Sequence, residues 1–531
     1  MEDTLLAVDC GTQSLRAMLF TRAGRLVAKE KVDYEPYFSL HPGWAEQDPR
    51  VYWGALCAAA LALKARSGPA FARIQGVGVA ALRNTPVLVD EAGEPVRPAI
   101  LYLDRRKADR VYRPGWAMGP VYAAVGILPT ILKAQEDCKT NWIRQHQPHL
   151  WERTHKALQV SGYLNHQLTG QFRDSVASQI GYLPFNYRSL RWCRPGELNG
   201  RVFPVEAHRL PELVAPGSPL GRITRAAGAA TGIPEGVPVI ACASDKGAES
   251  VGTGCIGAAT ACLSLGTAAS VQTTTPRYFE PLAFFPAYPA AVAGSYSPEI
   301  QVFRGYWMIS WFMREFAPAE REAAAKLGVP PEALLDRFLQ EVPAGSLGLM
   351  TLPHWGPGLK SPGAKGSMIG LGEVHTRGYF YRSLIEGLGF ALRDGLEQIE
   401  RAGRARMERI AVAGGASQSV EICQITADIF GRELWAGETF EAAGLGVAAL
   451  TAAGVGLHGG LAEAVRRMVR PGRSFAPRPA NAELYRKLFL KVHRRIQGRL
   501  EPLHRQIRSI LNYPEGASGD CGSAAGKECR P

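Results

Sequence analysis

Apolar runs alternate with amphipathic segments along most of the chain. Residues 5–8, 15–20 and 26–32 are short and rich in Leu, Val and Ala, which predicts three consecutive strands. The turn Arg22-Ala23-Gly24-Arg25 joins the last two. Residues 53–64 predict a helix and residues 74–80 a buried strand, while residues 139–190 mix helix and loop. A Gly- and Pro-rich stretch, 215–236, leads into a strand over 238–243. Strands at 261–265 and 268–273 flank Gly266-Thr267, and a strand at 409–413 meets Gly414-Gly415 before a helix over 417–430. Strands interleaved with helices in this way predict an α/β fold.

The segment around Gly266-Thr267 echoes the opening one, where Asp9-Cys10-Gly11-Thr12 separates two apolar runs. Two such hairpins point to two domains of related design. With 531 residues the chain exceeds what one core holds, about 250–300 residues. The expected division is 1–255 for an N-terminal domain and 256–500 for a C-terminal one. Residues 501–531 then complete a basic helix and end in a tail whose Gly, Ser and Pro content predicts disorder.

Composition changes this picture little. The hydrophobic fraction of 46% and the charged fraction of 21% are those of a globular protein. No apolar stretch reaches the ~18–20 residues that span a bilayer, and no signal-peptide pattern opens the chain. A soluble, cytoplasmic protein with no membrane partner is the expectation. The ten cysteines form no C-x-x-C pair, which argues against zinc and thioredoxin-like chemistry and for reduced thiols. The net charge of +13 raises nucleic acid as a partner. Its location argues against it: residues 466–508 hold thirteen basic and two acidic side chains, an excess of eleven. Within them Leu484, Leu488, Val492 and Ile496 recur every four residues, which predicts one amphipathic helix over 482–500 with a solvated basic face. No aromatic stacking platform accompanies the charge.

The chemistry concentrates at the glycine turns. In Asp9-x-Gly11-Thr12-Gln13-Ser14-x-Arg16 a tight turn lets backbone N–H groups approach phosphate oxygens. Thr12 and Ser14 add hydroxyls, Arg16 a permanent cation, and Asp9 a carboxylate able to face Mg²⁺. An ordinary hairpin would carry the same residues. Gly266-Thr267 offers a second such turn, and Gly414-Gly415 before a helix permits close approach of a ligand to the backbone.

The order of these segments resembles that of the FGGY carbohydrate kinases, the family of glycerol kinase, xylulokinase and ribulokinase. The matching stretches include residues 9–16, 42–49 around Trp44, 97–106, 162–170, Ser244-Asp245, 265–267, 414–419, 427–431 and 442–449. The resemblance implies two ribonuclease-H-like domains of the actin and hexokinase type, with the active site in the cleft between them. It implies ATP and Mg²⁺, a sugar or polyol as the small-molecule partner, and leaves a homodimer open. Asp245 takes the position of the catalytic base; a helix N-cap is the other use of an Asp there. Gly11, Thr12, Gln13, Ser14, Arg16, Gly266 and Thr267 fall on the phosphates, and Gly414, Gly415 and Ser419 on the adenosine. Asp9 falls on the metal. Arg83, Asn84, Tyr102, Asp104 and Lys246 fall on the acceptor.

The acceptor half departs from the family. Where glycerol kinase has Arg-Glu, this chain has Arg83-Asn84, and where a Trp packs on glycerol it has Tyr102. The residue after the base is usually Gln and here is Lys246. A buried ammonium needs a counter-charge. Asp104, Glu249 or Asp245 can supply it, or the substrate can. The expected activity is ATP-dependent phosphorylation of a hydroxyl of a ketose or polyol. A glycerol-type polyol kinase, a sugar-acid kinase and an actin- or chaperone-type ATPase are the competing readings.

Overall fold

The computed structural model describes residues 2–116, 118–355 and 364–511. The tail expected to be disordered falls mostly outside these residues. Two six-stranded sheets organise the chain. The first holds β1 (Thr4–Cys10), β2 (Ser14–Thr21), β3 (Leu26–Asp33), β4 (Ile74–Ala81), β5 (Pro219–Arg222) and β6 (Pro238–Ile240), in the order β5-β6-β4-β1-β2-β3. The second holds β7 (Thr260–Leu265), β8 (Ala269–Thr273), β9 (Glu299–Val302), β10 (Arg409–Ala413), β11 (Leu434–Gly437) and β12 (Pro471–Phe475), in the order β9-β8-β7-β10-β11-β12.

The two sheets share one spatial arrangement of strand directions, although the chain enters it differently: the edge strand β5 precedes its neighbour β6, whereas β12 follows β11. In each, three antiparallel strands are followed by two that run parallel to the first, then by an antiparallel edge strand. The echo between the two Gly-Thr hairpins is thus the visible part of a whole-domain correspondence.

Both faces of β1 are covered, which is why its apolar run does not alternate with polar residues. Leu6, Val8 and Cys10 pack under helices α1 (Pro49–Phe71) and α2 (Val160–Thr169). Leu5 and Ala7 face a separate cluster formed with α3 (Asp245–Gly252) and, further along the chain, the Gly/Ala-rich helix Ala442–Gly454. The second sheet packs against α4 (Arg377–Gly403) and α5 (Val420–Phe430).

The helix Ala442–Gly454, here α6, follows the second sheet's β11 in sequence yet packs on the first sheet. It crosses α3 at backbone contact. A methyl on Gly252 would lie 1.8 Å from Ala442 O, and one on Gly446 1.8 Å from Ala248 O. Only hydrogen fits at either position, so two glycines set how the halves meet.

The basic C-terminal segment differs from the expected single helix. It runs as Pro479–Leu488, a π-turn over Phe489–His493, and Arg494–Leu511. The buried positions are Tyr485, Phe489, His493, Ile496 and His504, while Leu484 and Leu490 are exposed. Tyr485 was outside the Leu484-Leu488-Val492 pattern because its hydroxyl is polar. Inside, it donates to Glu386 Oε1 at 2.7 Å and accepts from Arg382 at 3.1 Å. The π-turn adds the residue that carries this register into Ile496.

Candidate active site

The first hairpin places Asp9 at the end of β1 directly opposite Arg16 on β2, with Arg16 Nη1 3.3 Å from Asp9 Oδ2. The turn closes through Gly11 N–H to Ser14 O at 2.9 Å. Tyr34 braces it from β3's end: its hydroxyl donates to Gly11 O at 2.7 Å and its N–H to Gln13 O at 3.0 Å. Burial, opposed by Arg16 and reinforced by Asp245, Glu441 and Glu249, pushes the Asp9 carboxyl up to about 6. A carboxylate held among acids in this way is complementary to a cation. Among the described residues no set of three His, Cys, Asp or Glu groups is arranged to hold a metal. Asp9 is the kind of oxygen donor that a Mg²⁺ ion would use, since that ion takes one or two carboxylates and fills its shell with water and phosphate oxygens.

The second hairpin is held from two sides. Tyr306 N–H donates to Gly266 O at 3.0 Å and Trp307 N–H to Thr267 O at 3.3 Å. Gly414 adopts φ of 89°, and a methyl on it would lie 2.8 Å from the Leu265 carbonyl carbon. The third glycine segment is therefore in contact with the second hairpin, and the sequence gap of about 150 residues closes in space. A methyl on the neighbouring Gly415 would meet nothing within 4 Å, so its face is open. Ser419 is the N-cap of α5: it accepts from Ile422 N–H and donates to Asp336 Oδ1 at 2.7 Å. Its hydroxyl hydrogen is already used, and Asp336 is the group it presents.

Asp245 is the first residue of α3, but it is not the cap. Ser244 caps, its hydroxyl accepting from Gly247 N–H. Asp245 is left 37% exposed, with Oδ1 3.7 Å from Arg83 Nε. Arg83 crosses from the first half of the molecule to the second. It forms a two-pronged pair with Glu299 on β9, at 2.7 and 3.0 Å. Burial pushes Glu299 up, yet Arg83 carries its carboxyl below the usual range.

Lys246 finds its counter-charge in the protein. Nζ lies 3.3 Å from Glu249 Oε2, one turn along α3, and donates to Ser264 Oγ on β7. Burial pulls the ammonium down; Glu249, then Asp245, more than offset it, so the net direction is upward. Of the three carboxylates weighed for this pairing, Glu249 takes it.

Tyr102 is 43% exposed and its hydroxyl lies 3.4 Å from Thr12 Oγ1, beside the first hairpin. Asn84 has a left-handed backbone, φ 54°, and its Oδ1 accepts from Tyr182 N–H at 3.2 Å. Asp104 does not face the cleft. Its side chain is 0% exposed, bound to Arg106 Nε and Nη2 at 2.8 and 2.7 Å and to Ala45 N–H at 2.7 Å. Arg106 also pairs with Glu46 and lies 3.8 Å above the Trp44 ring. Asp104 thus belongs to a buried ionic cluster, and its place among acceptor ligands is withdrawn: every oxygen is taken. The Trp44 segment is conscripted to the same cluster.

Sequence reasoning missed Tyr34, Ser264, Glu299 and Asp336. Glu299 and Asp336 are single polar residues with no motif around them, and Ser264 sits just before the 265–267 stretch in a strand read as apolar. Tyr34 alone had a signal, as the residue just past β3 with the first hairpin's second strand beside it.

Two sheets of matching strand directions, each carrying a glycine hairpin, define a two-domain phosphotransferase of the actin and hexokinase type. The chain belongs to the FGGY family of carbohydrate kinases, whose N-terminal domain matches residues 4–252 and whose C-terminal domain matches residues 261–455. It is an ATP-dependent carbohydrate kinase, with an alcohol group as acceptor. It is 28% identical over 484 residues to the uncharacterized sugar kinase YgcE of Escherichia coli (strain K12), covering 91% of this chain and 90% of that one. It is 25% identical to xylulose kinase of Lactococcus lactis subsp. lactis (strain IL1403), covering 91% and 95%. Among solved structures, xylulose kinase from Rhodospirillum rubrum matches with a TM-score of 0.76 at 26% identity, covering 94% of this chain and 100% of that one. No helix among the described residues is long and apolar enough to cross a membrane.

Proposed function

We propose that the acceptor is a neutral ketose or polyol, phosphorylated on a hydroxyl whose proton passes to Asp245. The observation that carries this is the charge balance of the acceptor side. Arg83 is paired with Glu299 and Lys246 with Glu249, so the charge of each cation is already balanced by a protein carboxylate and a substrate carboxylate would bring an uncompensated negative charge. Burying such a charge is costly. The named relatives that act on xylulose favour the same class.

In this reading the two hairpins hold the polyphosphate from both sides. Thr12, Gln13 and Ser14 donate from one half, on a turn that Gly11 closes, Gly266 and Thr267 from the other, and Arg16 offsets phosphate charge. Gly414 and the open face of Gly415 receive the adenosine, with Ser419 and its partner Asp336 at the helix start. Tyr102 packs on the acceptor near Thr12, and Arg83 and Asn84 line its pocket. Asp9 would hold Mg²⁺, directly or through water, and the ion would offset charge on the phosphates. Positioning and charge stabilisation are most of what phosphoryl transfer asks of a protein. The domains 1–255 and 256–500 are the bodies that close on the substrates, and an ATP donor places the reaction in the cytoplasm.

The test is ATP consumption measured against pentuloses, hexuloses, tetritols, glycerol and sugar acids. A ketose or polyol is expected to give the highest kcat/KM. A sugar acid at the top overturns the charge argument, and ATP turnover that ignores every acceptor overturns the kinase reading of the site.

A further inference from the structure

Lys246 lies between the two reacting groups of the proposed site. Its main chain follows Asp245 on α3, and Gln272 Nε2 fixes that backbone by donating to Lys246 O at 2.8 Å. Its side chain, 15% exposed, leaves the first half of the molecule and ends at β7 of the second. There Nζ stands just below the second hairpin: a methyl on Gly266 would lie 3.4 Å from it. An ammonium has three N–H donors. Ser264 Oγ and Glu249 Oε2 take two of them, and the third has no partner among the described residues.

We infer that Lys246 is a catalytic residue that donates its third N–H to the phosphoryl group in flight from the Gly266-Thr267 hairpin to the acceptor at Asp245. The inference rests on the placing of donor and acceptor proposed above. In the step, the bond from the γ-phosphorus to the β–γ bridging oxygen breaks and ADP keeps its electron pair. A bond forms from the acceptor oxygen to phosphorus, and the acceptor proton goes to the Asp245 carboxylate. Lys246 transfers no proton. It offsets the negative charge on the equatorial oxygens, held in place beforehand by Glu249 and Ser264 so that nothing reorganises as the charge arrives. A lysine that served the acceptor would instead be felt in acceptor binding, and one that merely tied the halves together would be felt in stability alone.

Full-length wild type, Lys246→Met and Lys246→Arg separate these roles by titration calorimetry with Mg²⁺ and either ADP or ADP plus aluminium fluoride, a mimic of the transferring phosphoryl group. Lys246→Met is expected to bind ADP within about twofold of wild type and to lose the tighter fluoride complex by about 100-fold or more, the usual worth of one such donor. With the best acceptor, kcat should fall by a similar factor with acceptor KM changed less than about threefold, and Lys246→Arg should recover part of it. Equal losses for ADP and for the fluoride complex, or unchanged kcat, overturn the inference. So does a rise confined to acceptor KM, which returns Lys246 to the acceptor pocket. If Lys246→Met does not fold, Lys246→Gln carries the same comparison, since its neutral amide still reaches toward Ser264. The binding arm needs no sugar, so a wild type that binds the fluoride complex tightly but turns over no acceptor sinks the kinase reading and not the lysine.

Discussion

A carboxylate can serve as a base only if its oxygens are not already spent, and at Asp245 the accounting favours it. Ser244 has the capping role; Asp245 Oδ1 accepts from Lys246 N–H at 2.8 Å and lies beside Arg83, while Oδ2 has no protein partner among the described residues. Asp245→Asn is expected to lower kcat by about 10²–10⁴, the range for positioned acid–base catalysis. ATP affinity should be unchanged, as read by titration calorimetry; a parallel loss of ATP binding would move Asp245 to the nucleotide. Asp9 makes a different prediction, through stability. Its carboxyl ionises near 3.8 when unfolded and near 6 when folded. Between those values the folded state holds the extra proton, so stability falls as pH rises through the window, and above about pH 6 the full cost is present. Asp9→Asn should therefore match wild type near pH 4 and be more stable at pH 7.5, by up to about 3 kcal/mol. Mg²⁺ should raise the Tm of wild type above pH 6 and leave the variant's unmoved.

At the scale of elements, the strands were legible and the polar partners were not. Apolar runs ended by Gly-Thr located β1, β2, β7 and β8 to within about two residues, because a strand covered on both faces has to be apolar throughout. The helix expected over 417–430 begins at Val420, since Gly415–Gln418 forms a 3-10 turn and Ser419 the cap. Glu299 was invisible: it pairs with a residue 216 positions away, and nothing local marks it. Family resemblance assigns Asp104 to the acceptor, whereas its oxygens serve a buried ionic cluster. The contact between Gly414 and the second hairpin yields a paired test. Gly414→Ala meets both a left-handed backbone and the Leu265 carbonyl carbon, and should cost about 1–3 kcal/mol in urea denaturation while raising KM for ATP. Gly415→Ala meets no protein atom and should keep wild-type stability, yet still weaken ATP, because its methyl points into the proposed adenosine space. Equal ATP affinity in Gly415→Ala and wild type would remove the adenosine from that face.

Over the whole molecule most ion pairs close within one half, and the buried Arg83–Glu299 pair is an exception that crosses between them. Arg83 belongs to the first half and Glu299 to the second. Removing one partner of a buried pair typically costs about 3–5 kcal/mol. Glu299→Gln should lose stability on that order and should also change chemistry. With its counter-charge gone, Arg83 is available to a substrate carboxylate, so the ratio of kcat/KM for a sugar acid over a ketose should rise. A ratio that stays put while stability drops would mean that Arg83 does not face the acceptor.

The crossing of α3 and α6 at Gly252 and Gly446 bears on how such a machine opens. In any hinged body the parts beside the pin travel least and the parts at the rim travel most. Backbones pressed together through two hydrogens make a short, stiff bearing, and the helix that carries Asp245 and Lys246 is one side of it. On the proposed reading, halves that swing apart to shed product would pivot here, leaving Asp245 almost where it was, while the Lys246 ammonium would have to part from Ser264 of the other half. A single methyl at position 446 would meet the Ala248 carbonyl oxygen at 1.8 Å, and Gly446→Ala should lower both Tm and kcat, as read by thermal melts and steady-state turnover.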